Sequence, residues 1–496
     1  MRTHDPSEDQ STETTDVKTD ATKRVLLDKH LPKRRKDIHD RTSAEYLAFP
    51  DRESSRTLHG VVWRLAWPTV LAMMLQVVNS FVDRFFIHSL GPNALAAAGV
   101  VGQYTFLVMS IGMSLSIGTT ALVARFTGMN TPEESRVVAN QSSWLAVIAS
   151  FVCVALFMPF RSELVALMHL NDQATRMSIS YLTVSLLGTP PLFLMLIMMG
   201  AYRGLGNTVT PLVISVLINI VHLTGDYLLI SGHLGFPRWG LAGGATALVT
   251  SQIVGTIAYG ISLRKSPLAG LSRVRSGLEL EWARRILKIG IPAALQNLSR
   301  IVSMLAFTGV LARSSDGTPA VAALTIGLTM ESLAFMPGFG FSTAASALTG
   351  QNLGAGRPDR AVRSGWVALE QGLVVMIIMG VVFYVFAPQF TSIFDPGPQA
   401  TPLAIAYLRI SALSEPFLAV GMILTGVLNG AGDTKSPAWA TVVSMWIVRL
   451  PLAYLLSRTL NYGAIGAWWA MAASTTTGGV IAFWLFRRGR WKLTKV

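Results

Sequence analysis

Four carboxyl side chains, Asp83, Asp226, Glu331 and Glu415, lie inside stretches that are otherwise apolar enough to sit in lipid. An ionisable group at membrane depth costs about 2.5–3.5 kcal/mol on insertion scales, so each needs a physical reason. Asp83 follows Gln76 and Asn79 at spacings that place all three on one helical face, and the same spacing recurs in Asn219, His222 and Asp226. Two polar faces built alike read as the walls of one pocket. Carboxyls there could exchange a proton with water, or hold a hard cation such as sodium together with amide and carbonyl oxygens. The competing reading is interhelical hydrogen-bond glue with no ligand. His222 could titrate, or serve only as a hydrogen-bonding member of its face.

Glu415 directly precedes Pro416, which removes a backbone donor and opens the helix. Pro190-Pro191 occupies the matching place in the first half, so kinks at Pro190, Pro191 and Pro416 are expected, as hinges or as static bends. Glu331 stands in Met330-Glu331-Ser332, and Arg300 and Arg449 are the cations at depth. Glu331 and Glu415 could therefore be cavity-facing groups for an organic cation or partners of these arginines.

The residues exclude much else. Arg203-Gly204-Leu205-Gly206-Asn207-Thr208 and Asn429-Gly430-Ala431-Gly432-Asp433-Thr434 lack the strand before and the Lys-Ser/Thr after that a phosphate cradle needs, so they read as tight helix hairpins. No nucleophile elbow or metal-ligand spacing appears, and Cys153 is the lone cysteine. An enzyme is not expected, nor a cofactor beyond a coupling ion, nor nucleic acid as a partner.

The elements that must position these groups are membrane helices. The chain of 496 residues is 51% hydrophobic and only 14% charged, against about 25% charged in soluble proteins. Six apolar stretches, Val61–His88, Ala94–Ala124, Asn140–Met158, Ile179–Tyr202, Thr210–Ile230 and Leu241–Leu263, fill the first half. Six more, Ile286–Leu311, Ala320–Leu348, Ala361–Phe386, Leu403–Leu428, Ala438–Leu456 and Ala464–Phe486, fill the second. Each suffices for a hydrocarbon core about 30 Å thick.

A single offset of 226 residues carries Gly91 onto Gly317, Gly128 onto Gly354, Pro190 onto Pro416, Gly204 onto Gly430, Gly206 onto Gly432, Pro211 onto Pro437 and Gly240 onto Gly466. The chain is therefore two copies of one unit, and doubled bundles of this kind move cargo through the seam between their halves. The expected order is a polar disordered tail at 1–57, a first lobe at 58–263, a basic link at 264–285, a second lobe at 286–486 and a basic end at 487–496. Net charge is +14, and its cations gather in the link after the sixth span (Arg264, Lys265, Arg284, Arg285), after the eighth (Arg357, Arg360, Arg363) and at the C-terminus (Arg487, Arg488, Arg490). That bias places both termini and the central link in the cytoplasm, with the chain crossing the cell membrane many times.

The combination resembles the multidrug and toxic-compound extrusion family of secondary transporters. The resemblance rests on Phe81-Val82-Asp83 followed by Leu90-Gly91, on Gly350-Gln351-Asn352-Leu353-Gly354-Ala355-Gly356, on the two Gly-x-Gly-Asn/Asp-Thr turns each followed by Pro, and on Arg449-Leu450-Pro451. It spans about residues 60 to 485. It implies an all-α membrane protein of twelve helices in two pseudo-symmetric six-helix lobes, forming a V around a central cavity. It further implies export of cationic amphiphiles against proton or sodium entry, with Asp83 as the first-helix coupling acid, Asp226 as its fifth-helix partner and Glu415 as the tenth-helix acid. His222 stands where such pockets commonly carry Asn, which turns the expectation from sodium toward protons. The seventh helix departs further, with Gln296, Asn297 and Arg300 where some members carry an acid, so the first lobe is the expected coupling site.

The sequence thus predicts an ion-coupled antiporter working as a monomer in lipid on small organic cations. Asp83, Asp226, Asn79, Asn219 and His222 would couple the ion, and Gln76, Glu331, Glu415 and Arg300 would line the substrate cavity. The rivals are a lipid-linked saccharide flippase, which needs a strongly basic cavity, and a passive channel, which needs a ring of pore charge.

Overall fold

The computed structural model describes residues 55–270, 277–395 and 397–496, all belonging to one compact unit, 49–496. The expected N-terminal tail lies outside the described residues up to position 54, as do 271–276 of the basic link. Among the described residues, eleven helices are long and apolar enough to cross a membrane, and a bent pair supplies a twelfth span. The first lobe holds α1 (Ser55–His88), α2 (Pro92–Gly128), α3 (Pro132–Phe157), the short α4 (Arg161–Ala166), α5 (Asp172–Leu187) joined at a bend to α6 (Thr189–Gly204), α7 (Val209–Leu229) and α8 (Leu241–Leu263). The second holds α9 (Leu280–Ala312), α10 (Gly317–Gly354), α11 (Pro358–Ser392), α12 (Ala400–Gly430), α13 (Lys435–Thr459) and α14 (Gly463–Arg488). The chain is thus the expected all-helical membrane protein, its two six-span lobes arranged as a V.

Local chemistry sets the ends of these helices. Pro92, Pro132 and Pro358 sit in the first turns of α2, α3 and α11, where a missing N–H leaves nothing unsatisfied. The two repeated glycine-rich turns are helix caps. Gly206 and Gly432 take left-handed backbone angles. Asn207 Oδ1 then accepts from the Thr210 N–H at 3.0 Å, and Asp433 Oδ1 from the Ser436 N–H at 3.2 Å.

The proline expectations divide. The fourth span bends by 48° between Leu187 and Thr189, just ahead of Pro190-Pro191. At Pro416 the backbone runs on as one helix from Ala400 to Gly430. Irregularity in the second lobe sits instead in α13, which loosens into π-helical turns at Val443–Arg449 and Leu455–Thr459. The basic C-terminal end turns back onto its lobe: Trp491 is buried, stacks on Phe486 at 5.6 Å and donates from Nε1 to the Phe486 carbonyl.

The lobes meet where the helices come close enough for backbone to touch backbone. A Cβ on Gly128 of α2 would fall on the Gln351 carbonyl of α10, and one on Gly354 would fall on the Arg125 carbonyl. These contacts are images of each other under the repeat, and between them Ala124 faces Gly350 across the same seam. Gln351 Nε2 donates to the Gly204 carbonyl at 3.0 Å, and Gln371 donates to the His59 carbonyl at 2.9 Å. The start of α1 joins the seam too, since Leu58, Val62, Leu65 and Ala66 are buried in the second lobe's core beside Phe341 and Ala345. All of these positions lie at one end of the bundle. Polar contacts towards the other end, such as Asn79 with His222 and Tyr407 with Glu331, stay inside one lobe.

Because backbone cannot yield as a side chain can, Gly128→Ala is expected to part the seam at a cost of about 1–3 kcal/mol. Ser114→Cys places a reporter within the closed seam, since Ser114 is buried and meets Asn297 of the opposite lobe. Maleimide labelling of that cysteine in the purified protein should be slow alone and fast when combined with Gly128→Ala. Equal rates would show that the glycine contact does not hold the lobes together.

Candidate functional site

The first-lobe cluster is built by α1 and α7, whose outer halves lie side by side. Asn79 Nδ2 donates to His222 Nδ1 at 2.8 Å across the helix pair. With Nδ1 accepting, the proton of the neutral ring sits on Nε2. That atom lies 3.6 Å from Asp226 Oδ1, one helical turn along, too far for a good hydrogen bond. Asp83, His222 and Asp226 each bring a ligand atom within 4.8 Å of the others. Asp226 is fully buried, and Gly244 of α8 leaves the room beside it that a side chain would take. Tyr181 of α5 stands close enough to feel both carboxylates.

The balance of donors and acceptors is the telling feature. Both carboxyl oxygens of Asp226 and the amide oxygen of Asn79 are buried with no hydrogen-bond partner. Three orphan acceptors in one apolar place call for a positively charged visitor, since an unpaired buried polar atom costs about 1–3 kcal/mol. Two carboxylates with an amide oxygen suit a hard cation, whereas the imidazole suits a proton.

Other first-lobe residues named from sequence fall outside this cluster. Asn219 turns its amide onto the Ser215 carbonyl of its own helix at 2.7 Å. Gln76 is exposed, and its carbonyl accepts from Ser80 Oγ.

In the second lobe, α9, α10, α12 and α13 bring four charged groups together as a row. Each lies within electrostatic reach of the next: Arg300 of Arg449, Arg449 of Glu331, and Glu331 of Glu415. Tyr407 Oη donates to Glu331 Oε2 at 2.5 Å, and Arg449 Nε donates to Ser474 Oγ of α14 at 2.8 Å. Among the described residues no ion pair within 4.0 Å joins either acid to either arginine. Glu415 is almost wholly buried, with Oε2 unpartnered, and Gly380 of α11 makes space for its stem. Gly327 does the same for the Tyr407 ring, which meets Trp468 edge-on at 4.9 Å. Sequence reasoning passed over Tyr407 and Ser474. Their only signal was the position of Tyr407 two turns before Glu415 on one helix.

A duplicated helical bundle with polar clusters inside each lobe and a seam closed at one end defines a membrane transporter. The MatE family model matches residues 68–228 and 292–455, one stretch in each lobe, and the chain belongs to this family of transporters. A probable multidrug resistance protein NorM of Thermotoga maritima is 29% identical over 438 residues, covering 86% of this chain and 92% of its own. An uncharacterized transporter YisQ of Bacillus subtilis is 26% identical, covering 87% and 94%. The fold is shared with a solved MOP superfamily transporter from Pyrococcus furiosus at a TM-score of 0.83 and 22% identity, over 88% of this chain and 97% of that one. A multidrug resistance MATE family transporter solved in an outward-facing conformation gives 0.82 at 22% identity, with the same coverage.

The surplus of acceptors can be tested by stability. Asp226→Asn removes a buried carboxylate whose oxygens find no donor, and is expected to stabilise the fold by about 1 kcal/mol. The unfolding temperature in detergent should rise. A clear fall would mean that the carboxyl is held by groups that an amide cannot satisfy.

Proposed function

We propose that this protein is an ion-coupled antiporter exporting organic, chiefly cationic amphiphilic, compounds across the cell membrane, with protons rather than sodium as the coupling ion. The observation that carries the reading is the set of orphan acceptors on Asp226 and Asn79, with a carboxyl oxygen of Asp83 within 4.8 Å of Asp226. A carrier needs a place that takes up a small cation in one state and gives it back in the other. Here a proton would bind the carboxyls while the seam is closed at the glycine end, and leave when the lobes re-close at the opposite end. His222, as a ring nitrogen facing Asp226, supports the proton over sodium.

The energetics suffice. Each net elementary charge moved inward across 100 mV is worth about 2.3 kcal/mol, a cargo gradient of roughly 40-fold, and against a monovalent cationic cargo that net charge takes two protons, one for each of Asp83 and Asp226. The glycine seam lies at the same end as Arg264, Arg285, Arg357, Arg363 and Arg487, so by the excess of cations that end and both termini face the cytoplasm. The cleft then opens outwards. Multidrug resistance proteins among the relatives support organic compounds as cargo. In the second lobe the two acids Glu331 and Glu415 equal the two arginines Arg300 and Arg449 in number without pairing with them, so the row as a whole has no net positive charge for a lipid pyrophosphate.

Asp83→Asn should abolish ethidium efflux from loaded cells while the protein remains folded and present in the membrane, and unchanged efflux would remove Asp83 from the mechanism. In everted vesicles, ethidium export should stop when the proton gradient is collapsed and persist when sodium is withheld. The reverse pattern would reassign the ion, and indifference to both would end the antiport reading.

A further inference from the structure

The row of charges in the second lobe is unbalanced at one end. Arg449 has Glu331 beside it and Ser474 on its Nε. Among the described residues no acid lies within 4.0 Å of the Arg300 guanidinium, and its own buried Nε has no hydrogen-bond partner. Arg449 lies within electrostatic reach and adds a second positive charge, and no hydrogen bond or ion pair among the described residues answers Arg300.

Its direction is set by the helix. Ile291, Leu295, Leu298, Val302 and Leu305 form the exposed apolar stripe of α9, and the helical period puts Arg300 diametrically opposite. To one side of it Gln296 and Ser303 bond to α13, Gln296 through Thr441 Oγ1 at 2.9 Å and Ser303 through the Met445 carbonyl at 3.3 Å. To the other side Asn297 reaches Ser114 of the first lobe at 3.4 Å. Arg300 therefore points between α13 and the opposite lobe. It stands about one turn beyond the Asn297 contact, where the lobes begin to part. It is half-buried, as a group lining the floor of a cleft is.

A structural guanidinium in lipid is paired with a carboxylate or caps helix carbonyls. Arg300 is paired with no carboxylate, and its planar fork suits the two oxygens of one. We propose that Arg300, backed by Arg449, forms a carboxylate subsite at the floor of the cleft, so that the preferred cargo is zwitterionic, an organic amine that also bears a carboxylate. This rests on the export function proposed above and narrows it. The cargo's amine faces the partly exposed Glu331 side of the row, and its carboxylate completes the Arg300 end. The doubled charge is then neutralised by the substrate itself.

The probes are a rhodamine with a free benzoate and its methyl ester, which differ in that one carboxylate. Titrated by fluorescence anisotropy against the purified full-length protein, the acid should bind about tenfold or more tightly than the ester, the worth of a charge-assisted hydrogen bond. Arg300→Gln should bring the ratio of the two affinities close to one, and Arg300→Lys should restore part of it. Replacing chloride in the buffer by nitrate should leave the ratio as it is, and a ratio that follows the inorganic anion would assign Arg300 to that anion and overturn the subsite. Equal binding of acid and ester by the wild type, or a preference that survives Arg300→Gln, overturns the subsite. Export of the same two dyes from everted vesicles separates the readings: an acid preference in binding with no export of either dye sinks the transport function and leaves the subsite standing.

Discussion

Hydrocarbon offers no hydrogen-bond donor, so an oxygen buried in a membrane protein must find its donor in the protein or take one from outside. Asp226 finds none within the protein: both its carboxyl oxygens and the nearby Asn79 amide oxygen are unanswered. Everything distinctive about the first lobe follows from keeping that place apolar and small. Gly244 draws α8 in close, and His222 is pinned by Asn79 so that its other nitrogen faces the carboxyl. A fully satisfied cluster would be stable and inert. An incompletely satisfied one is open to an ion, and its occupancy can differ between two arrangements of the lobes.

The frame around the clusters is a second constraint, and the repeat separates the two cleanly. The offset of 226 residues preserves the helix breakers but none of the charges at depth. Asp83 corresponds to Gly309, Asp226 to Leu452, Glu331 to Thr105, Glu415 to Thr189, Arg300 to Met74 and Arg449 to Leu223. Backbone contacts such as Gly128 on Gln351 and Gly354 on Arg125 demand the same residue in both halves, because the seam is symmetric and no side chain fits there. The chemistry has no such demand. One lobe has become acceptor-rich and the other carries a mixed row of acids and guanidiniums, and the two flank one cleft with different electrostatics.

Much of this was legible in the residues. Apolar length and the scarcity of charge yielded the spans, and equal spacing on two helices foretold that Asp83, His222 and Asp226 would meet, because a helical period leaves little choice of face. Where the reading fell short, the missing information was non-local. Asn219 shares the helical face of the cluster but spends its amide on the Ser215 carbonyl of its own helix, since joining depends on how two helices cross. Pro416 corresponds to Pro190 in the repeat, yet only the first-half span is broken into two helices at its prolines, while the second runs on as one. The neighbourhood of Arg300 and Arg449, and the hold of Tyr407 on Glu331, bring together helices separated by dozens of residues.

What the sequence determined alone was the solvent, the doubling and the frame. Hydropathy, helical period and glycine conformation are local properties, written one residue at a time. The tertiary structure decided which polar atoms are answered and which are left over. That balance is a sum over several helices packed at once: a carboxyl on one is left unanswered only when its neighbours bring too few donors, and a guanidinium only when no acid arrives beside it.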